Sequence, residues 1–239
     1  MRHFLIVAAL LSLCASCAST PPPMVADPSN VGIALSLHQP DYWSLSTVAF
    51  CPETVYFIRL ANDKDTNYKT PTLFASNHKC FSGENVVFAL NLPPGEYAPV
   101  AAAGYDNDSD EKYVEDMRKV VIFFPKELIE STRTVVANGT VVYLGEIYLQ
   151  TLWSMKGADD VQKYYYRLFS GNERRPGDYM EMLFLRKFVS NYTIYIAPKF
   201  QGVAKSKQLQ KDFLTRYLAY FKGSGWNSHF NKRLAELEK

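Results

Sequence analysis

An excess of charge of either sign is missing from this sequence, in which 26 lysines and arginines face 24 aspartates and glutamates. A chain so balanced sets up no field that would steer it toward nucleic acid or an acidic surface. Cysteine is scarce: there are four in 239 residues, and two of them fall within the first 17. That excludes a disulfide-dense scaffold. Histidine is scarcer still in the body of the chain, where only His38, His78 and His229 occur, far apart in sequence. General acid–base catalysis would need them, or other titratable groups, to converge in the fold. No Gly-x-Ser-x-Gly elbow, His-Glu-x-x-His helix or Walker loop is present, so no motif announces a nucleophile, a zinc centre or a phosphate cradle. Internal repeats are also lacking, since FSGEN and FSGNE are too short and too differently flanked to count.

Long apolar runs are absent except at the start. Arg2 and His3 precede the apolar stretch Phe4 to Leu13, which is too short to span a hydrocarbon core of about 30 Å as a helix. This is the layout of a secretory signal peptide. The stretch Cys14-Ala15-Ser16-Cys17 resembles the lipobox of bacterial lipoproteins, with two small residues before the cysteine that becomes residue one. Cys17 fits as the lipidated position. Cys14 fits less well, because the bulky Leu13 precedes it, and it stands where Leu or Val is usual. The resemblance implies cleavage after residue 16, an acylated Cys17 and, with Ala18 rather than aspartate next, the outer membrane. Acyl CH₂ groups contribute about 0.8 kcal/mol each, and more than one chain gives stable anchoring.

Removing residues 1–16 takes Arg2 from the 26 basic residues and leaves 25 against 24 acidic ones. Only Cys51 and Cys80 remain in the mature body, and an even pair in an exported chain reads as a disulfide. The competing metal site of Cys51, His78 and Cys80 lacks the second close ligand pair that zinc motifs bring.

Residues 17–30 are small, polar and proline-rich, the composition of a spacer, and order is expected from Val31. In VGIALSL, the residues Val31, Ile33, Leu35 and Leu37 share one face at a two-residue period, as in a half-buried strand. TVYFIRL (54–60), VVFALNL (86–92), KVVIFF (119–124), TVVA (134–137) and TVVYLGEIYL (140–149) continue the pattern, with Val86, Phe88, Leu90 and Leu92 expected on one face. Asn138-Gly139 reads as a tight hairpin turn with positive φ at both residues. Pro93-Pro94-Gly95 reads as a second turn, with Gly95 in the left-handed position. Short strands punctuated in this way, without alternating helices, predict a mainly β, antiparallel sandwich.

The segments NLPPGEYAPVAAAGY and VVANGTVVYLGEIYL resemble the carboxypeptidase-regulatory-like, or transthyretin-like, Ig-like sandwich domains of bacterial envelope proteins. The resemblance spans residues 31–150. It implies a spacer, assembly or binding module with no shared catalytic residues. Residues 151–239 read as an α+β extension ending in amphipathic helices. ADDVQKYYYRLF (158–169) suits a helix, MEMLFLRKF suits either helix or strand, and TIYIAP suits a strand ended by Pro198. Leu209, Phe213, Tyr217 and Phe221 recur every four residues from Ser206, predicting a helix stopped at Gly223-Ser224-Gly225. Phe230, Leu234 and Leu237 mark a final helix for which Asn227 or Ser228 is the expected cap.

Two stretches have the composition of a site. His38, Asp41, Tyr42 and Trp43 gather an imidazole, a carboxylate and two aromatics just after the first strand, as a sugar platform or an active site would; a strand-end loop with a capping aspartate has the same composition. Asp106, Asp108 and Asp110 alternate like calcium ligands. However, Glu111 and Met117 stand where an EF-hand needs Gly and Glu, which leaves a solvated acidic loop as the default. The sequons at Asn107, Asn138 and Asn191 carry no meaning in a bacterium, and the turn accounts for Asn138. The expectation is a non-catalytic binding or assembly protein of the outer membrane, without a cofactor. It would be held by lipidated Cys17 and would contact envelope proteins or glycans rather than nucleic acid. The alternative is a carbohydrate-binding module or hydrolase using the region from His38 to Trp43.

Overall fold

A computed structural model describes residues 21–38, 51–60, 72–80, 86–105, 119–150, 194–196 and 198–239. The strands are β1 (Val31–His38), β2 (Cys51–Arg59), β3 (Thr72–Ala75), β4 (His78–Cys80), β5 (Val86–Leu92), β6 (Gly95–Tyr105), β7 (Lys119–Phe123), β8 (Thr134–Val136), β9 (Val141–Gln150), β10 (Ile194–Ile196) and β11 (Lys199–Ala204). Helix α1 (Lys126–Thr132) lies between β7 and β8, and α2 (Lys207–Tyr220) and α3 (Trp226–Glu238) end the chain.

The chain is mainly β and forms two sheets. One runs β11-β9-β1-β5-β4 and the other β10-β7-β6-β2-β3, with β8 also on β6. The inner faces of both contribute to one core, in which Ile33, Leu35, Leu144 and Ile147 of the first sheet join Val55, Phe57, Ala101 and Phe123 of the second. Among the described residues pairing is antiparallel except for two parallel pairs, β1 with β9 and β10 with β7. A purely antiparallel sheet, as the short strands suggested, is therefore not what forms. The residues after 150 also supply an edge strand to each sheet, β10 to one and β11 to the other.

Strands β7 and β8 lie along the same edge of β6, β7 against Ala101–Tyr105 and β8 against Gly95–Tyr97. They are one strand interrupted by α1. The Phe124 amide still bonds the Val100 carbonyl at 2.9 Å before the helix leaves the ladder. Leu128 and Ile129 turn back into the shared core.

A third layer covers the outer face of the first sheet. Ala34, Val86, Phe88, Leu90, Val141 and Tyr143 pack against Phe213, Leu214, Tyr217, Phe221, Trp226 and Phe230 of the helical hairpin. Phe213 stacks on Tyr143 with centroids 3.7 Å apart, and Phe88 meets Tyr217 and Phe221 edge-on at 5.4 and 5.2 Å. This explains why β1 is buried on both faces rather than half-buried. Its second face is Gly32, Ala34 and Ser36, small enough to let the helices approach. A Cβ on Gly32 would lie 3.4 Å from the Trp226 ring and 2.9 Å from Leu90. Ser36 shares a hydrogen bond with the Tyr143 hydroxyl at 2.7 Å, so no buried hydroxyl is left orphaned there.

Helix α2 begins as expected, with Ser206 Oγ accepting from the Leu209 amide at 3.0 Å. Helix α3 begins earlier than expected, at Trp226, and neither Asn227 nor Ser228 caps it. The segments 158–169 and 180–188, read as helix and as helix or strand, lie outside the described residues.

Both expected turns exist, with altered roles. Gly139 has φ +65° but Asn138 is not left-handed, and β8 and β9 enter different sheets, so the turn is a corner between sheets rather than a hairpin. At the Pro-Pro-Gly turn the positive φ belongs to Asn91 (+63°), not to Gly95. Asn91 is the extra residue of a bulge opposite β1, and the bulge turns Leu92 into the inter-sheet core, away from Val86, Phe88 and Leu90. Gly95 is glycine because of Arg59. The buried guanidinium donates to the Pro94 carbonyl from Nε (3.1 Å) and Nη2 (2.6 Å), and a Cβ on Gly95 would lie 2.5 Å from Nε.

Order begins before Val31. Pro23 accepts from Trp226 Nε1 at 2.8 Å. Asn91 donates to the Met24 carbonyl at 2.8 Å and accepts from the Ala26 amide at 2.9 Å. His229 Nε2 donates to the Asn30 carbonyl at 3.1 Å. Residues 23–30 thus form a strap lying on the body.

Candidate functional site

The two sheets have two ends, and the chain treats them differently. At one end β5 passes to β6 and β8 to β9 through the short turns just described, and the strap enters β1. At the other end β1, β4, β6 and β9 terminate and β2, β5 and β7 begin, as the registers Ser36↔Val86, Cys80↔Val86, Cys51↔Tyr105 and Tyr105↔Lys119 place them. Loops gathered at one end of a two-sheet body are a common place for binding residues, because the scaffold holds them rigidly.

His38 closes β1 at this loop-bearing end. It is half-buried and stacks on Tyr148, its partner on β9, with centroids 4.9 Å apart and rings 17° from parallel. Its Nε2 is buried and has no hydrogen-bond partner among the described residues. The Tyr148 hydroxyl donates to Glu146 Oε2 at 2.7 Å, and this bond, with burial and the carboxylate charge, raises the phenol above its usual range. Tyr148 is 38% exposed. Beside it Gln201 Nε2 donates to Gln150 Oε1 at 2.6 Å. The ring pair and this amide bond make a flat, polar-edged shelf that can stack on a planar or sugar-like group and offer it hydrogen bonds.

Of the residues singled out by sequence, the structure brings His38 to this shelf. Asp41, Tyr42 and Trp43, the calcium candidates Asp106, Asp108 and Asp110, and the lipidation candidate Cys17 lie outside the described residues. Cys51 opens β2 and Cys80 closes β4. Continuing the β2–β3 ladder five residues on from Tyr56↔Ala75 would bring Cys51 level with Cys80. The chain instead crosses to the other sheet between β3 and β4, so the two cysteines stand at the same end in facing sheets.

The histidines do not converge. His78, on an edge strand, lies against Phe88 and Phe221 with Nε2 3.2 Å from the Tyr220 hydroxyl, and burial lowers its pKa. His229 serves the strap. Among the described residues no group of three His, Cys, Asp or Glu side chains is arranged to hold a metal, and no helix is long and apolar enough to cross a membrane.

Tyr148 and Glu146 were not anticipated. Strict alternation through YLGEIYLQ would put them on the same face as Val142 and Leu144, but Gly145 shifts the phase. At φ +114° it forms a bulge, so Val142 and Leu144 share the inner face with Ile147 and Leu149.

No family model matches the chain, and no curated protein matches it. A leucine-rich repeat protein from Bacteroides thetaiotaomicron of known crystal structure is similar at 12% identity and a TM-score of 0.30. That match covers 51% of this chain and 14% of the other, a likeness too slight to carry fold or function.

Proposed function

We propose that this protein is a lipid-anchored component of the bacterial outer membrane that acts as a non-catalytic binding or assembly module. Its body would be a transthyretin-like, Ig-like sandwich. The observation that carries the binding reading is the polarity of the body. The strap leaves from one end, and the His38–Tyr148 shelf with its converging strand ends occupies the other, so an anchor at Cys17 presents the shelf outward. The Tyr97 hydroxyl supports the family reading. It donates to the Pro93 carbonyl four residues upstream, at 2.5 Å, where the chain passes between sheets. Greek-key sandwiches of the Ig type carry such a tyrosine corner. Cys51 and Cys80, at the same end of facing sheets, are assigned as a disulfide.

The test has two arms. Cys17→Ser should move the protein from the membrane to the aqueous fraction and abolish labelling by a fatty-acid analogue, while Cys14→Ser should do neither. In co-sedimentation with purified envelope fragments, His38→Ala with Tyr148→Ala should lose binding without loss of fold. Unchanged sedimentation would remove the shelf from the account, and turnover of a glycan by the wild type would favour a hydrolase.

A further inference from the structure

The strap determines how the body would meet a membrane. If residues 17–30 were a free spacer, fourteen positions would separate Cys17 from Val31 and the body would sample every orientation. Instead the chain is held from Pro23 onward by Trp226 Nε1, by both ends of the Asn91 amide and by His229. The Gly139 amide adds a bond to the Ser29 carbonyl at 3.1 Å. Val25 is packed into the helix–sheet core, so close to the α2–α3 turn that a Cβ on Gly225 would lie 2.8 Å from its Cγ2. The link between Cys17 and the held strap is then at most the six residues from Cys17 to Pro23. Six residues span at most about 21 Å, close to the radius of gyration of about 17 Å expected for a body of this length, where fourteen would span about 49 Å.

We propose that the face around Met24 and the α2–α3 turn is a membrane-contact surface that rests on the headgroups of a phospholipid bilayer. The proposal rests on the lipid-anchor reading above and adds an orientation to it. Two further features suit this face to that partner. Met24 is 87% exposed, the most exposed large apolar side chain among those described, and it sits at the point where the tether leaves the body. Lys222, exposed on the adjacent turn, adds a cation for anionic headgroups. The opposite end, with Tyr148 and Lys199, is held away from the bilayer.

The experiment uses the full-length protein in its own membrane. A photoreactive benzophenone amino acid is placed at Met24, at Lys222 or, as the distal control, at Lys199, and lipid adducts are counted after illumination. Adducts should be abundant at 24 and 222 and near background at 199. Inserting ten Gly/Ser residues between Thr20 and Pro21 lengthens the link from six residues to sixteen without touching the body. Because effective concentration falls roughly as the −3/2 power of tether length, adducts at 222 should drop about fourfold. Acylation of Cys17, read by a fatty-acid analogue, should be unchanged. Equal adducts at 222 and 199 in an acylated protein, or no response to the insertion, overturn the contact surface alone. A protein that takes up no label at Cys17 overturns the anchor and the surface together.

Discussion

Two glycines hold the same kind of backbone conformation in different surroundings, and comparing them isolates the contribution of the strap. Gly139 has φ +65°, and a Cβ built on it would lie 2.9 Å from the Pro28 carbonyl oxygen. Gly223 has φ +82°, and a Cβ there would meet nothing within 4 Å. Alanine at either position costs about 1 kcal/mol for the left-handed backbone, offset in both by a similar loss of unfolded-state freedom. At Gly139 the methyl must also displace the carbonyl of Pro28, which puts the bond from the Gly139 amide to Ser29 at risk, a further loss of about 0.5–1.5 kcal/mol for the bond alone. Gly139→Ala should therefore destabilise by roughly 1–2 kcal/mol more than Gly223→Ala. For a chain of this size that is a difference in melting temperature of about 2–8 °C. Thermal and urea unfolding of the soluble Cys17→Ser body, followed by circular dichroism, measure it. Equal shifts for the two variants would falsify the idea that the strap presses on this corner.

The remaining expectations are briefer. Non-reducing mass spectrometry should find one linked peptide pair, Cys51 with Cys80, and reduction should cost roughly 3–4 kcal/mol in the chain-entropy model; two free thiols would refute the assignment. Tyr97→Phe keeps the buried ring and removes the corner hydrogen bond, so a loss of about 1 kcal/mol is expected, and no change would mean that the bond contributes nothing net. Because burial lowers the His78 pKa below its ordinary 6.5, the folded state binds fewer protons than the unfolded one. Its stabilising share is then complete above pH 6.5 and declines as pH falls from there toward the folded value. His78→Phe should flatten this part of a stability–pH profile, and an identical slope in the variant would assign the effect to other groups.

How legible all this was depended on how local each cause is. Helix α2 could be read directly, because Leu209, Phe213 and Tyr217 keep a four-residue spacing and Ser206 supplies its cap within three residues. The inward face of β1 could be read as well. Its other face could not, since Gly32, Ala34 and Ser36 look like a solvent side until helices from the far end of the chain cover them. The turns were visible and their destinations were not. Asn138-Gly139 announces a reversal, but nothing within those residues says that the next strand joins the other sheet. Strands β3, β4 and β8 are three or four residues long, too short to show a period, and α1 is a seven-residue interruption with no side-chain cap. The shelf was half legible: His38 stood out, whereas Tyr148 becomes its neighbour through a parallel pairing between strands 110 positions apart, with a bulge that resets the phase.

The central place of β1 has a consequence for how the molecule acquires its fold. The first strand of the chain lies between β5 and β9, whose residues follow it by roughly half and by more than the whole length of a small domain. The Trp226–Pro23 bond closes a separation of 203 residues. Topologies dominated by such distant pairings fold slowly, in milliseconds to seconds, because loop-closure entropy is spent before contacts repay it. A chain emerging N-terminus first would therefore hold β1, apolar on its inner face, with one edge unpaired until β9 follows, and with its outer face bare until the last residues arrive. Its native state is reached late and nearly all at once, so the nascent chain stays open, and in need of protection, for almost the whole of its emergence.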